Sequence, residues 1–318
     1  MAEFGSLKAS ADKASPLKQG ALQSGAGAPS ASAVLELLKP ITWFPPMWAF
    51  MCGVVSSGAA LSDRWAFVLG GILLAGPLVC ATSQAVNDWF DRHVDAINEP
   101  NRPIPSGRIP GRWGFYIALI WTALSLAFAA LLGLWVLIAA LVGMALAWAY
   151  SAPPIRLKRN GWLGPAAVAL SYEGLAWFTG AAVMLGALPD GKIILLAALY
   201  SAGAHGIMVL NDFKAIEGDR ASGVASLPVT LGEAGAAKVA GASMALAQFG
   251  VIIALFTWGQ YWHAGAVLAL TIAQIILMQR LFQAPAARAP WYNGVGVTQY
   301  VAGMMISAFA VQPFVGGG

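Results

Sequence analysis

The chain has 318 residues, 58% hydrophobic and only 10% charged, with a mean hydropathy of +0.69 and a formal net charge of +4. Ordinary soluble domains carry about 25% charged residues, so this composition excludes a soluble globular protein and indicates an all-α polytopic membrane protein. Cys52 and Cys80 both sit in apolar runs, which argues against a disulfide framework or a cysteine-based metal site.

Residues 1–32 are rich in Ala, Gly, Ser and Lys and lack an apolar run, so a disordered tail is expected there, with MAEFGSL resembling an expression scar. No signal peptide is expected, because an apolar h-region is missing. A single transmembrane domain is expected over 33–318, entered through KPITWFPPMW (39–48), which reads as an interfacial segment with aromatic anchors. Nine spans fit the hydropathy, at about 43–61, 65–86, 113–131, 134–150, 163–187, 192–210, 237–258, 263–282 and 296–314. With the N-terminus placed in the cytoplasm, sixteen of the eighteen Lys and Arg fall on the inside, leaving Arg64 and Lys192 outside. That bias fits the positive-inside rule. The basic loops therefore read as orientation signals, and no nucleic-acid partner is expected.

Between the second and third spans lies NDWFDRHVDAINEPNRPIPSGRIP (87–110), which holds four of the fourteen acids in an otherwise nearly charge-free neighbourhood. On a helix, Asp88, Asp91 and Asp95 share one face, and Asn87, Asp91 and Asp95 form a second stripe. Like charges this close repel, the more so near a bilayer. A divalent cation with hard oxygen ligands would compensate them, most economically Mg2+ holding a phosphorylated substrate.

A second cluster repeats the first. Asn211-Asp212 followed by Asp219 echoes Asn87-Asp88 followed by Asp95 at an offset of 124 residues, and Glu217 lies between them. Such duplication suggests a pseudo-symmetric bundle with one site between its halves. Solvated loop acids balancing nearby Arg would explain either cluster alone, but two with matched spacing favour paired carboxylate arrays for Mg2+ and a diphosphate. Arg102, Arg108, Arg156, Lys158, Lys214 and Arg220 stand close enough in sequence to hold phosphate charge. About half of these bases are expected to mark topology only. Two groups stand apart. Glu173, well inside the fifth span, is a candidate for substrate contact or for pairing with a loop base. His205, in the sixth span, is a candidate porphyrin ligand or, more simply, a helix-packing hydrogen bonder. The aromatics, among them Trp43, Trp148 and Tyr172, read first as anchors and packing, with cation–π stabilisation of a carbocation as a further role.

In these motifs the chain resembles the UbiA superfamily of membrane prenyltransferases, whose N-D-x-x-D-x-x-x-D pattern appears as NDWFDRHVD (87–95) and whose second acidic motif appears as NDFKAIEGD (211–219). Longer strings, KPITWFPPMWAF (39–50), YSAPPIRLKRNGW (150–162) and HGIMVLNDFKAIEGDRASGVASLPVTLG (205–232), are similar to the chlorophyll and bacteriochlorophyll synthase branch. HVDA and SYEGLAWFTG (171–180) lean toward the bacteriochlorophyll side. The resemblance implies nine helices in a bacterial inner, photosynthetic intracytoplasmic membrane, with the active site facing the cytoplasm. It also implies Mg2+-dependent transfer of a geranylgeranyl or phytyl group from its diphosphate to the propionate of bacteriochlorophyllide a. Chlorophyllide a, a quinone precursor or haem are alternative acceptors, and photosynthetic assembly proteins are candidate partners. A transporter or non-enzymatic pigment-holding protein is the rival from another class.

Carried over by position, Asn87, Asp88, Asp91, Asp95, Asp212 and Asp219 would bind Mg2+–diphosphate, with Asp88, Asp91 and Asp212 central to catalysis. Tyr150 and Lys158 match a loop feature near the diphosphate. Many members carry Asp where this chain has Ala215, which leaves open which second-half residues touch metal.

Overall fold

The computed structural model describes residues 27–315, so most of the expected N-terminal tail lies outside the described residues. Helix begins within that tail: Ser30 caps α1 (Ala31–Leu37) by accepting from the Ala33 amide. Apart from a four-residue turn of helix at Leu227–Thr230 and short 3-10 turns, the remaining helices are α2 (Phe44–Ser56), α3 (Trp65–Asn98), α4 (Trp113–Leu132), α5 (Leu134–Ser151), α6 (Leu163–Leu185), α7 (Gly191–Asp212), α8 (Ile216–Ser222), α9 (Gly232–Thr257), α10 (Tyr261–Gln283) and α11 (Pro285–Val315). Among the described residues there is no named strand, only an isolated parallel bridge between Asn160 and Ala225.

Eight of these helices are long and apolar enough to cross a membrane. The first expected span differs. It is the 13-residue α2, about 20 Å long at 1.5 Å per residue, which is short of a hydrocarbon core of about 30 Å. Its start is set by Pro45 and Pro46, tolerated in a first helical turn where amide donors are spare.

The second span runs on through the acidic motif to Asn98, because nothing between Cys80 and Glu99 breaks a helix. Pro77 inside it is accommodated by a π-helical turn, Leu74–Cys80. A second π turn, Leu170–Leu175, interrupts α6.

Small residues let the helices approach closely. A Cβ on Gly53 of α2 would lie 1.9 Å from the Trp177 carbonyl oxygen of α6, and one on Gly180 would lie 2.0 Å from that of Phe50. In the second half, a Cβ on Gly206 of α7 would lie 2.2 Å from the Ala240 carbonyl oxygen of α9. Backbone contact of this kind supplies the van der Waals packing that lipid cannot replace. Some buried polar atoms find partners on neighbouring helices. Trp177 Nε1 donates to Ser56 Oγ at 2.9 Å, and the Tyr300 hydroxyl donates to the Tyr200 carbonyl at 2.6 Å.

Candidate active site

A cavity of about 770 Å3 runs along α3 from Asn98 down to Leu74. That is about 36 Å at 1.5 Å per residue, and the volume lies in the ~300–1,000 Å3 range of small-molecule sites. One end is polar, and the other is lined by Leu74, Ala75, Ala139 and Ala140.

The α3 wall is a single helical stripe: Cys80, Gln84, Asn87, Asp91, Asp95 and Asn98 all line the cavity at intervals of three or four residues. Of the two stripes open to the sequence, the structure gives the cavity the one through Asn87. Asn87 Nδ2 donates to Asp91 Oδ2 at 3.0 Å and to Ser151 Oγ at 3.2 Å, which fixes the amide against α5. Lys158 donates to the other Asp91 oxygen.

Asp88 does not line the cavity. Its side chain is 2% exposed, and Oδ1 accepts from Lys39 Nζ at 2.7 Å and from Arg102 Nη1 at 3.4 Å. Arg102 lies behind the same wall, donating to Asp95 Oδ2 at 2.9 Å and gripping Glu99 with two bonds of 2.6 Å. Arg108 is more remote still, paired with Glu36 of α1.

The facing wall comes from the end of α7 and the start of α8, through Asn211, Asp212, Lys214 and Asp219, with Ala215 among them. Asn211 Oδ1 accepts from Asn293 Nδ2 at 3.1 Å. Glu217 and Arg220 are not among the lining residues.

A third side is formed by Tyr150 at the end of α5 and by Arg156, Lys158 and Arg159 of the loop that follows. Arg156 has φ +44°, a left-handed conformation that few non-glycine residues adopt. Its Nε is buried without a partner. A strained backbone and an unspent guanidinium donor beside two carboxylate walls fit an anionic ligand.

Among the described residues no three acidic, His or Cys side chains form a group able to hold a metal by themselves. The donors present still suit Mg2+, which keeps several waters and takes only one or two carboxylates together with phosphate oxygens. The carboxylates of Asp91, Asp95, Asp212 and Asp219 and the amides of Asn87 and Asn211 supply hard oxygens on both walls, and the adjacent cations suit the phosphate.

The two intramembrane candidates lie elsewhere. Glu173 is buried in the α6 π turn with Oε2 unpartnered, off the cavity lining. His205 is also off the lining, stacked on Trp162 with ring centroids 5.8 Å apart. Sequence reasoning passed over Lys39 as the partner of Asp88 and Gln84 as a lining residue, whereas Tyr172, one of the aromatics given a further role, does line the cavity. Gln84 could have been found: it is a polar residue inside an apolar run, three positions before Asn87 on the motif's stripe.

Comparisons with known proteins bear on the family and the fold. The profile of the UbiA prenyltransferase family matches residues 43–294. The chain is 60% identical over 284 residues to the bacteriochlorophyll synthase 33 kDa chain of Cereibacter sphaeroides, covering 89% of this chain and 94% of that protein. Against the chloroplastic chlorophyll synthase of Avena sativa it is 39% identical, covering 87% and 76% respectively. Among solved structures, a UbiA homolog from Archaeoglobus fulgidus bound to DMAPP and Mg2+ superposes with a TM-score of 0.70 at 21% identity, over 88% of this chain and 99% of that one. The chain is an integral membrane protein, and it belongs to the UbiA prenyltransferase family.

Proposed function

We propose that the protein is a bacteriochlorophyll synthase, esterifying the propionate of bacteriochlorophyllide a with a geranylgeranyl or phytyl group taken from its diphosphate. The observation that carries this reading is one long cavity with carboxylate walls and cations at one end and an apolar lining at the other. It matches a diphosphate head joined to a hydrocarbon tail. Identity of 60% with a bacteriochlorophyll synthase chain, against 39% with a chlorophyll synthase, favours the bacteriochlorophyllide acceptor.

The reaction asks for little acid–base chemistry. A propionate ionises near pH 4.3, like a Glu side chain, so it needs no base. Its oxygen bonds to the allylic carbon while the C1–O bond to phosphate breaks, and the electron pair leaves with diphosphate. Bound Mg2+ would neutralise the departing charge. Asn87, Asp91, Asp95, Asp212 and Asp219 would hold it. Arg156, Lys158, Arg159 and Lys214 would bind the diphosphate oxygens directly, in preorganised positions that favour the separated charge. The deep apolar lining excludes water, which would otherwise trap the allylic cation as an alcohol. The distribution of Lys and Arg supports a cytoplasmic-facing site in a bacterial inner membrane.

The test is a reconstitution of purified protein with Mg2+, geranylgeranyl diphosphate and bacteriochlorophyllide a, followed by pigment chromatography. Esterified pigment is expected. No ester, with prenylation of a quinone precursor instead, would overturn the assignment.

A further inference from the structure

Between the charged and apolar ends, the cavity passes a ring of uncharged polar groups that the diphosphate does not account for. The two π turns, Leu74–Cys80 of α3 and Leu170–Leu175 of α6, meet there. Their contact is polar: Cys80 Sγ lies 3.3 Å from the Tyr172 hydroxyl. Gln84 Nε2 donates to the same hydroxyl at 3.1 Å, and Thr42 Oγ1 lies 3.5 Å from Cys80 Sγ. Thr42, Cys80, Gln84 and Tyr172 all line the cavity. Helices widened to π geometry are frequent at functional sites, and here two of them place a tyrosine and a glutamine side by side.

Position along α3 says what passes this ring. Gln84 lies about 4.5 Å below Asn87 at 1.5 Å per residue. A chain whose diphosphate rests at Asn87 and Asp91 and whose tail reaches Leu74 must carry its first carbon past this level. The acceptor oxygen must reach that same carbon. A carboxylate brought into a low-dielectric cavity needs donors, and the ring's inventory can be counted. Ser83 and Ser171 spend their hydroxyl hydrogens on their own helices, on the Cys80 carbonyl at 2.7 Å and the Ala167 carbonyl at 2.8 Å. The Gln84 amide keeps a second hydrogen after bonding Tyr172, and the Tyr172 hydroxyl can rotate from the weakly accepting sulfur of Cys80 toward a better acceptor.

We infer that Gln84 and Tyr172 form the binding site for the reacting carboxylate of the acceptor, holding it with neutral donors over the first carbon of the prenyl chain. Neutral donors suit the chemistry. A cation at this place would bind the carboxylate more tightly and make its oxygen a poorer nucleophile, whereas Lys158 stands with Asp91 on the diphosphate side. The inference rests on the carboxylate-acceptor reading above.

The experiment compares wild type, Gln84→Leu and Tyr172→Phe as full-length protein. It measures KM for bacteriochlorophyllide a, affinity for geranylgeranyl diphosphate with Mg2+, and inhibition by bacteriochlorophyllide methyl ester, which lacks the carboxylate. The expected result is a rise in acceptor KM of about 10-fold or more in each variant, with prenyl diphosphate affinity within about 2-fold of wild type. Inhibition by the methyl ester is expected to stay unchanged. An unchanged acceptor KM in both variants would overturn the inference, and so would loss of prenyl diphosphate binding in both. A wild type that forms no ester would instead defeat the underlying functional reading, so the two failures are distinguishable.

Discussion

The ammonium of Lys39 lies 2.7 Å from Oδ1 of Asp88, and this pair sits behind the cavity wall rather than in it. Lys39 adopts φ +48° at the junction between α1 and α2, so a residue in an uncommon backbone conformation is tied to the first aspartate of the motif. Arg102 completes the arrangement by bridging Asp88 to Asp95. Asp88 thus fastens the chain entry and the following loop to α3, while Asp91 faces the cavity.

The two aspartates are therefore expected to behave differently on substitution. Asp91→Asn should lower turnover by about 100-fold or more, with a much higher Mg2+ requirement. Asp88→Asn should retain the wild-type Mg2+ dependence and lose activity chiefly through lower stability. Breaking a fully buried ion pair costs about 3–5 kcal/mol, and the partial exposure of Lys39 and Arg102 places this one at or below the low end. Mg2+ titrations of activity alongside thermal inactivation would separate the two. Equal loss of Mg2+ response in both variants would show that Asp88 acts at the metal.

The fate of Asp88 also marks how far the sequence could be read. Helical periodicity was enough to put Asn87, Asp91 and Asp95 on one stripe, and the offset copy at Asn211–Asp219 was enough to predict a shared site. Hydropathy located the long spans, although the breaks at Gly133 and at 258–260 carry no charge. Periodicity left two faces for the first motif, and the choice between them depends on Lys39 and Arg102, which are 49 and 14 residues from Asp88. The π turns were not legible either: Pro77 hints at one, but the widening in α6 contains no proline to signal it. The short α2 escaped hydropathy because the apolar run continues past Ser56, where the helix stops.

Lys158 and Asp91 pair across the polar end of the cavity. On the proposed reading, Asp91 would hold the metal and the Lys158 ammonium would then turn to the phosphate oxygens. Lys158→Met is accordingly expected to raise KM for the prenyl diphosphate by about 10- to 100-fold, the worth of one charged hydrogen bond of ~1.5–3 kcal/mol. Lys158→Arg should recover part of that. Initial rates at varied prenyl diphosphate would decide it. A loss confined to kcat, with KM unchanged, would place Lys158 outside diphosphate binding.

The exposed pair of Arg108 and Glu36 predicts a pH effect on the loop after α3. The Arg108 hydrogen bonds hold the Glu36 carboxyl below its ordinary value. A carboxyl lowered on folding contributes stability that is fully present above its unfolded value, about pH 4.3. That contribution is lost as pH falls through the lower folded value. Limited proteolysis within 99–112 should therefore accelerate in this acidic window in wild type. Glu36→Gln should show the faster cleavage already at neutral pH. Identical cleavage of the two proteins at pH 7 would show that the pair does not restrain the loop.

Gly161 joins the basic loop after α5 to the loop after α8, and both line the polar end of the cavity. Its amide donates to the Ala225 carbonyl at 2.9 Å, and the Ala225 amide donates back to the Arg159 carbonyl at 3.0 Å. A Cβ at Gly161 would lie 2.6 Å from both the Ala225 oxygen and the Leu227 nitrogen, so any side chain must push the loops apart. The displaced loop carries Arg156, Lys158 and Arg159, and catalytic positioning is sensitive to shifts of about 1 Å. Gly161→Ala is expected to lower kcat/KM for the prenyl diphosphate by about 10- to 100-fold, while the protein still purifies as a folded, detergent-stable species. Wild-type kcat/KM in this variant would mean that the loops need not stay in register for the diphosphate to be held.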